Sequence, residues 1–251
     1  MKNIINPSNR SPLALARCTA FSVLTCSMLI LASQPAHARS ESVVFAGAEG
    51  SSNSSYAYLG TIMPMEGEQL GQGWYRKAVV SMIRYRYEST ERGTTEEVSG
   101  RAPGVEGGMG YVRRFGERTL DLSGTVGYRN VSLHPFEPKD EKTGNVFTFN
   151  PQVMAYTPLG GRFDADLMAS YAIGLGSSFA RLRAGFKPAE GWRTGLETKR
   201  LEGRAYEIRT AGVFVSIPLS EKLRLDLNAG REKPRDDPSA GYGGISFSAV
   251  F

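Results

Sequence analysis

Cysteine is almost absent from this sequence: of 251 residues only Cys18 and Cys26 carry a thiol, and both fall within the first 38. A chain processed after that point would hold no disulfide and no thiolate metal ligand. Histidine is equally scarce, with His37 and His134 alone, and one imidazole among scattered carboxylates does not make a metal site. No G-x-S-x-G turn occurs, so there is no nucleophile elbow. Gly100 to Gly110 is rich in glycine but has neither the lysine nor the strand-to-helix setting of a phosphate loop. Ser132 and His134 are the one pair that could suggest nucleophilic catalysis; without an orienting partner, a solvated loop histidine is the plainer reading. No cofactor is implied. Sustained helical periodicity is missing too, as is any apolar run beyond the N-terminal segment that could cross a bilayer as a helix.

The first 38 residues read as an export signal. Lys2, Arg10 and Arg17 form a basic opening, Cys18 to Ala32 is an apolar run, and Ala36 and Ala38 flank His37 in an A-x-A cleavage site. Export through the Sec pathway would leave residues 39–251 as a single domain. Removing the segment takes away three basic residues and no acid, leaving 27 basic against 25 acidic, a net charge of +2 instead of +5. That balance gives no reason to expect a nucleic-acid partner.

What is abundant is period-two alternation. Segments of about 8 to 14 residues alternate apolar and polar side chains between clusters of Gly, Pro, Asn, Asp and Ser, and about twelve strands can be counted. Leu120, Leu122, Val126 and Tyr128 oppose Thr119, Asp121, Ser123, Thr125 and Arg129; Leu223, Leu225, Leu227 and Ala229 oppose Lys222, Arg224, Asp226 and Asn228. The stretch Trp74 to Tyr87 sets Tyr75, Val79, Ile83, Tyr85 and Tyr87 against Arg76, Arg84 and Arg86. Glu88 to Ser99 and Leu133 to Gly144 read as long polar loops.

The chain ends Y-G-G-I-S-F-S-A-V-F, with Ile245, Phe247, Ala249 and Phe251 on one face of a strand. A bare terminal phenylalanine resembles the strand by which outer-membrane barrels are recognised for assembly, which makes Phe247 and Phe251 the expected assembly signal. Period two alone does not separate a soluble sandwich, whose apolar faces meet each other, from a barrel whose apolar faces meet lipid. The export signal, the terminal Phe251, strand lengths near the ~9–11 residues that cross a bilayer when tilted and the alternation of short turns with longer loops favour an all-β, antiparallel, up-and-down outer-membrane barrel. Its site would be the outer membrane of a Gram-negative cell, with membrane lipid as a partner. Tyr56, Tyr58, Trp74, Tyr85, Tyr87, Tyr128, Tyr156 and Tyr171 would then form interfacial girdles.

In such a barrel Arg84, Arg86, Arg129, Arg181, Arg183 and Arg224 point into the lumen beside Asp121, Asp164, Asp166 and Asp226. Two readings of these charges stand side by side: a mutually paired network filling a narrow interior, or a polar path or saccharide-binding groove.

Several strings resemble a known family. F-A-G-A-E-G and S-S-Y-A-Y-L-G within Phe45 to Gly60, G-W-Y-R and Y-R-Y in the third strand, V-E-G-G-M-G-Y at Val105 to Tyr111, R-L-R-A-G-F, and Y-E-I-R-T-A-G-V-F look, in that order, like the bacterial cellulose biosynthesis protein BcsS family. The resemblance implies an exported, non-enzymatic accessory of cellulose production that assists polysaccharide export or surface handling. Its partners would be cellulose or components of the synthesis and secretion complex. It carries no catalytic residue over. A small general porin and a lipid-modifying barrel enzyme are the alternatives.

Overall fold

In a computed structural model, residues 41–91, 94–135, 143–203, 206–235 and 238–251 are described. The expected signal segment, with Ala36 and Ala38, lies outside them. Twelve antiparallel strands run in chain order and close on themselves. They are β1 (Val43–Ser51), β2 (Ser54–Pro64), β3 (Gly73–Glu91), β4 (Thr94–Phe115), β5 (Arg118–His134), β6 (Gly144–Gly160), β7 (Phe163–Ala172), β8 (Ser177–Phe186), β9 (Arg193–Glu202), β10 (Glu207–Pro218), β11 (Leu223–Pro234) and β12 (Ala240–Val250). Among the described residues no helix is long and apolar enough to cross a membrane, so any crossing is made by strands.

Closure is made by β1 against β12, in a continuous register from Val43 opposite Val250 to Ser51 opposite Tyr242. Ser42 and Phe251 extend it by exchanging two backbone hydrogen bonds of 3.0 and 2.9 Å. No strand therefore presents an open edge. The two long polar loops expected from sequence are shorter than they read: β3 and β4 continue as paired strands to Glu91 opposite Thr94, and β5 continues to His134. These extensions stand at the end opposite the termini, as do the long excursions of outer-membrane barrels, whose periplasmic turns are short.

The two faces of the wall are inverted relative to a soluble protein. Outside are apolar groups in the open, such as Val126 (68% exposed), Phe147 (77%) and Leu196 (67%), while Asp164 and Glu197 inside are 0% and 3% exposed. Outward aromatics gather at two levels. Near the terminus-bearing end Trp74 meets Tyr111 and Phe163 meets Phe186, with ring centres 5.2 and 5.3 Å apart; near the other end Tyr128 meets Phe147 at 5.4 Å. From Phe163 to Tyr171 is eight residues, about 26 Å along a strand and about 20 Å along the axis at a tilt of ~40°. That approaches the ~25 Å apolar band of outer-membrane barrels.

The expected girdle is corrected in part. Trp74, Tyr128 and Tyr171 do face out, but the register turns Tyr56, Tyr58, Tyr85, Tyr87 and Tyr156 inward. The reason lies in the strands beside them. Gly100, Gly104, Gly108 and Gly110 of β4 alternate onto the inner face, and inward rings lie over glycines of the neighbouring strand. A Cβ at Gly100 would sit 2.3 Å from the Tyr85 ring, one at Gly110 2.4 Å from Tyr75, and one at Gly60 2.4 Å from Phe45. The glycine-rich run is thus a wall strand thinned to seat aromatic rings.

Gly100→Val should force the Tyr85 ring off its seat and cost about 1–3 kcal/mol. It would be read as a lower temperature for conversion of the compact gel band to the unfolded one. Tyr85→Ala in the same chain is expected to recover part of the loss; a conversion temperature unchanged by Gly100→Val would show that the ring does not rest there.

Candidate functional site: the barrel lumen

The candidate site is the lumen, and its two walls differ. On β7 to β11 the inward positions are charged and closely packed. Asp164 receives Arg193 through Nε and Nη2 at 2.7 and 2.6 Å, with Lys187 Nζ at 3.4 Å; Asp166 receives Arg193 Nη1 at 2.6 Å and Arg181 Nη2 at 3.7 Å. Lys187 lies in the turn after β8, and its donation to the Tyr156 hydroxyl (2.7 Å), aided by Asp164, holds its ammonium above the ordinary lysine value. One row nearer the far end, Glu197 takes Arg183 Nε at 2.5 Å, Lys199 Nζ at 2.9 Å, Asn228 Nδ2 at 3.2 Å and the Tyr242 hydroxyl at 3.3 Å. Lys199 also pairs with Glu49 of β1, to which Asn228 donates at 2.8 Å.

Phe214, only 1% exposed, sits beneath this network, with the Arg183 and Arg193 guanidinium groups 4.6 and 4.8 Å from its ring centre. It is an apolar floor between two cations whose charges are met elsewhere. Away from water each ion must find partners, and here Asp164, Asp166 and Glu197 each have more than one.

The opposite wall, β1 to β6, carries most of the aromatic rings, with the fewer charges Glu49, Lys77, Glu106, Asp121 and Arg129 set among them. Phe45, Tyr58 and Tyr56 follow one another with ring centres 6.0 and 5.3 Å apart, and Tyr85 and Tyr87 stack at 6.2 Å and 19°. Below them Tyr75 donates to Asp121 at 2.6 Å and Lys77 to Gln152 at 3.1 Å. Glu106 accepts from Thr125 and Asn150 at 2.7 and 2.8 Å, while Arg129 donates to Ser81 and the Ala102 carbonyl at 2.9 and 2.7 Å.

Of the residues expected in the lumen, Arg129, Arg181, Arg183, Arg224, Asp121, Asp164, Asp166 and Asp226 face it. Arg224 stands at the terminus-bearing mouth, donating to the Gly191 carbonyl at 3.3 Å, and Asp226 accepts from Ser216. Arg84 and Arg86 do not face the lumen. The register sets Tyr85 opposite Gly100 inside and Arg84 opposite Arg101 outside, and Arg86 is exposed 3.9 Å from Glu97. β3 has 19 residues, about twice what crosses hydrocarbon, so its far end leaves the apolar band and carries charge outside at no desolvation cost.

Arg193, Glu197, Lys199, Glu49 and Glu106 were missed. Their phase was readable for β9, where Leu196 on the outward face puts 193, 197 and 199 inward. Ser132 and His134 share the outward face of β5; the Ser132 hydroxyl donates to Asn130 at 3.2 Å and the His134 carbonyl accepts from Ser99 at 3.2 Å. Phe247 and Phe251 are exposed on the outside of the closing strand.

The family model described as "Cellulose biosynthesis protein BcsS" matches residues 43–251, the whole barrel. The chain belongs to the BcsS family. No curated protein matches the sequence. Among solved structures, an outer membrane channel from Pseudomonas putida F1 is similar at 13% identity and a TM-score of 0.56, over 87% of this chain and 100% of that one. The KdgM porin is similar at 10% identity and 0.51, over 83% and 99%. A structure of that porin in complex with disordered oligogalacturonate is similar at 10% and 0.50, again over 83% and 99%. At such identities the likeness concerns the fold, and this BcsS-family chain has the closed antiparallel outer-membrane-type barrel.

Asp164→Ala would leave the largely buried Arg193 without its main partner and should cost about 3–5 kcal/mol, whereas the exposed Arg84→Ala should stay within about 0.5 kcal/mol. Denaturant midpoints of the refolded barrel test the contrast, and equal effects would contradict the inward and outward placement of the two.

Proposed function

We propose that this protein is a non-enzymatic outer-membrane barrel that assists the export or surface handling of the β-linked glucan made by the cellulose machinery. The observation that carries the reading, beside family membership, is the division of the lumen into an aromatic wall and an ionic one. A β-glucan chain has flat C–H faces and hydroxyl edges. Phe45, Tyr56, Tyr58, Tyr85 and Tyr87 offer ring faces to the former, and the carboxylates and guanidinium groups of β7 to β11 offer hydrogen bonds to the latter. Carboxylates and cations pair with one another there, which suits a neutral polymer better than a charged one. The similar porin seen with oligogalacturonate supports the idea that a barrel of this shape can take in an oligosaccharide.

Outer-membrane residence is supported by the apolar exterior and its two aromatic levels, and Sec export by the N-terminal segment. Components of the cellulose synthesis and secretion complex are the expected partners. A small general porin is the competing reading, since the similar structures include channels.

Deletion of the gene is expected to lower extracellular cellulose while leaving glucan synthesis in isolated inner membranes at its normal rate. Tyr56→Ala combined with Tyr87→Ala should reduce secreted glucan by about two- to tenfold per ring, at ~0.5–1.5 kcal/mol for each lost stacking contact, with the compact gel band retained. Ion conductance in planar bilayers together with unaltered cellulose in the deletion strain would favour the porin instead.

A further inference from the structure

On the outside of β9, β10 and β11 the apolar band ends in a block of charge. Leu196, Val213 and Ala229 form one outward row across the three strands. Two rows further from the termini, Arg200, Arg209 and Lys233 stand directly opposite one another, with Arg231 in the row between. Three like charges side by side on neighbouring strands destabilise a sheet unless something anionic meets them. Among the described residues the carboxylates nearby are too few. Glu207 accepts Arg200 and Arg209 at 3.0 and 2.8 Å on one oxygen and Arg235 at 3.1 Å on the other, and Glu202 takes Arg200 at 3.0 Å. Among the described residues no carboxylate pairs with Arg231 or Lys233. The side chains of Arg200, Arg209 and Arg235 stay more than half exposed despite these bonds. Glu207 therefore holds the arginines in a fixed fan without cancelling their charge.

Position identifies what meets them. The patch points away from the lumen, so nothing passing through the barrel touches it. Ile217 to Arg209 on β10 is eight residues, the same span that separates the two aromatic levels on β7, which places the row at the edge of the apolar band at the end opposite the termini. In an outer membrane that is the headgroup layer of the outer leaflet. Guanidinium groups with free N–H edges match phosphate oxygens in geometry and charge.

We propose that Arg200 and Arg209, oriented by Glu207, together with Lys233 beside them, seat the phosphate groups of an anionic glycolipid in the outer leaflet. The proposal depends on the barrel residing in the outer membrane but not on its handling glucan.

The test uses the full processed chain, purified and stripped of lipid, and titrated with diphosphoryl lipid A by native mass spectrometry. Parallel arms use the dephosphorylated glycolipid and inorganic phosphate. Arg200→Gln with Arg209→Gln and Lys233→Gln should weaken retention of the diphosphorylated lipid by about tenfold or more, since each cation near an anionic surface contributes a factor of about five. Arg76→Gln, outward at the opposite rim, should change nothing, and the dephosphorylated lipid should bind weakly to every form. If the triple substitution impairs folding, judged by the compact gel band, Lys233→Gln alone should still weaken binding about fivefold. Retention equal to the unaltered protein, equal binding of the dephosphorylated lipid, or displacement by millimolar inorganic phosphate would each overturn the proposal. Absence of the protein from outer-membrane fractions would instead refute its residence there, a separate failure.

Discussion

The pairing of β1 with β12 is the constraint on which everything else rests. In hydrocarbon an unpaired N–H or C=O has no water to turn to and costs several kcal/mol, so an apolar exterior is tolerable only if the sheet has no edge. Twelve strands joined in chain order meet that condition once the first and last residues find each other. Once they do, inside and outside are defined for the whole chain, because alternation then assigns every second side chain to lipid and the remainder to the lumen.

A lumen enclosed by that many strands has to be furnished, and the two halves of the chain do so differently. β7 to β11 fill their share with carboxylates and cations that satisfy one another around Asp164 and Glu197. β1 to β6 fill theirs mainly with rings laid over glycines, and with fewer charges bound to hydroxyl and amide groups. A glycine removes one side chain from the inner face and admits a ring from the next strand, so the wall stays thin while the ring face is turned to the cavity. The ionic wall is stiff because loss of any member strands its partners.

The third strand shows how far local pattern reaches. Its alternation is evident, but its phase is the reverse of what the composition predicts, since arginines usually mark the inner face of a barrel and apolar groups the outer. Arg84 and Arg86 lie outside because β3 outruns the membrane, and Tyr85 and Tyr87 lie inside because β4 offers them glycine. Strand length and the composition of the adjacent strand decided the matter, and neither is a property of Trp74 to Tyr87 alone. On β7, β8 and β11, which have 10 to 12 residues, and on the membrane-level part of β5, the outward leucines and the inward aspartates have the phase that the alternation predicts.

What the sequence determined by itself was the class: all-β, about twelve strands, an exterior that is apolar at every second residue, and a BcsS-like order of motifs. These are consequences of period-two patterning and turn residues, which act over a few neighbours. Only the tertiary structure decided which charges meet. The partners of Glu197 come from β8, β9, β11 and β12, and Glu49 reaches Lys199 across 150 residues of sequence, because ring closure sets β1 beside the last strands. No local pattern encodes that neighbourhood; it arises when the sheet meets itself.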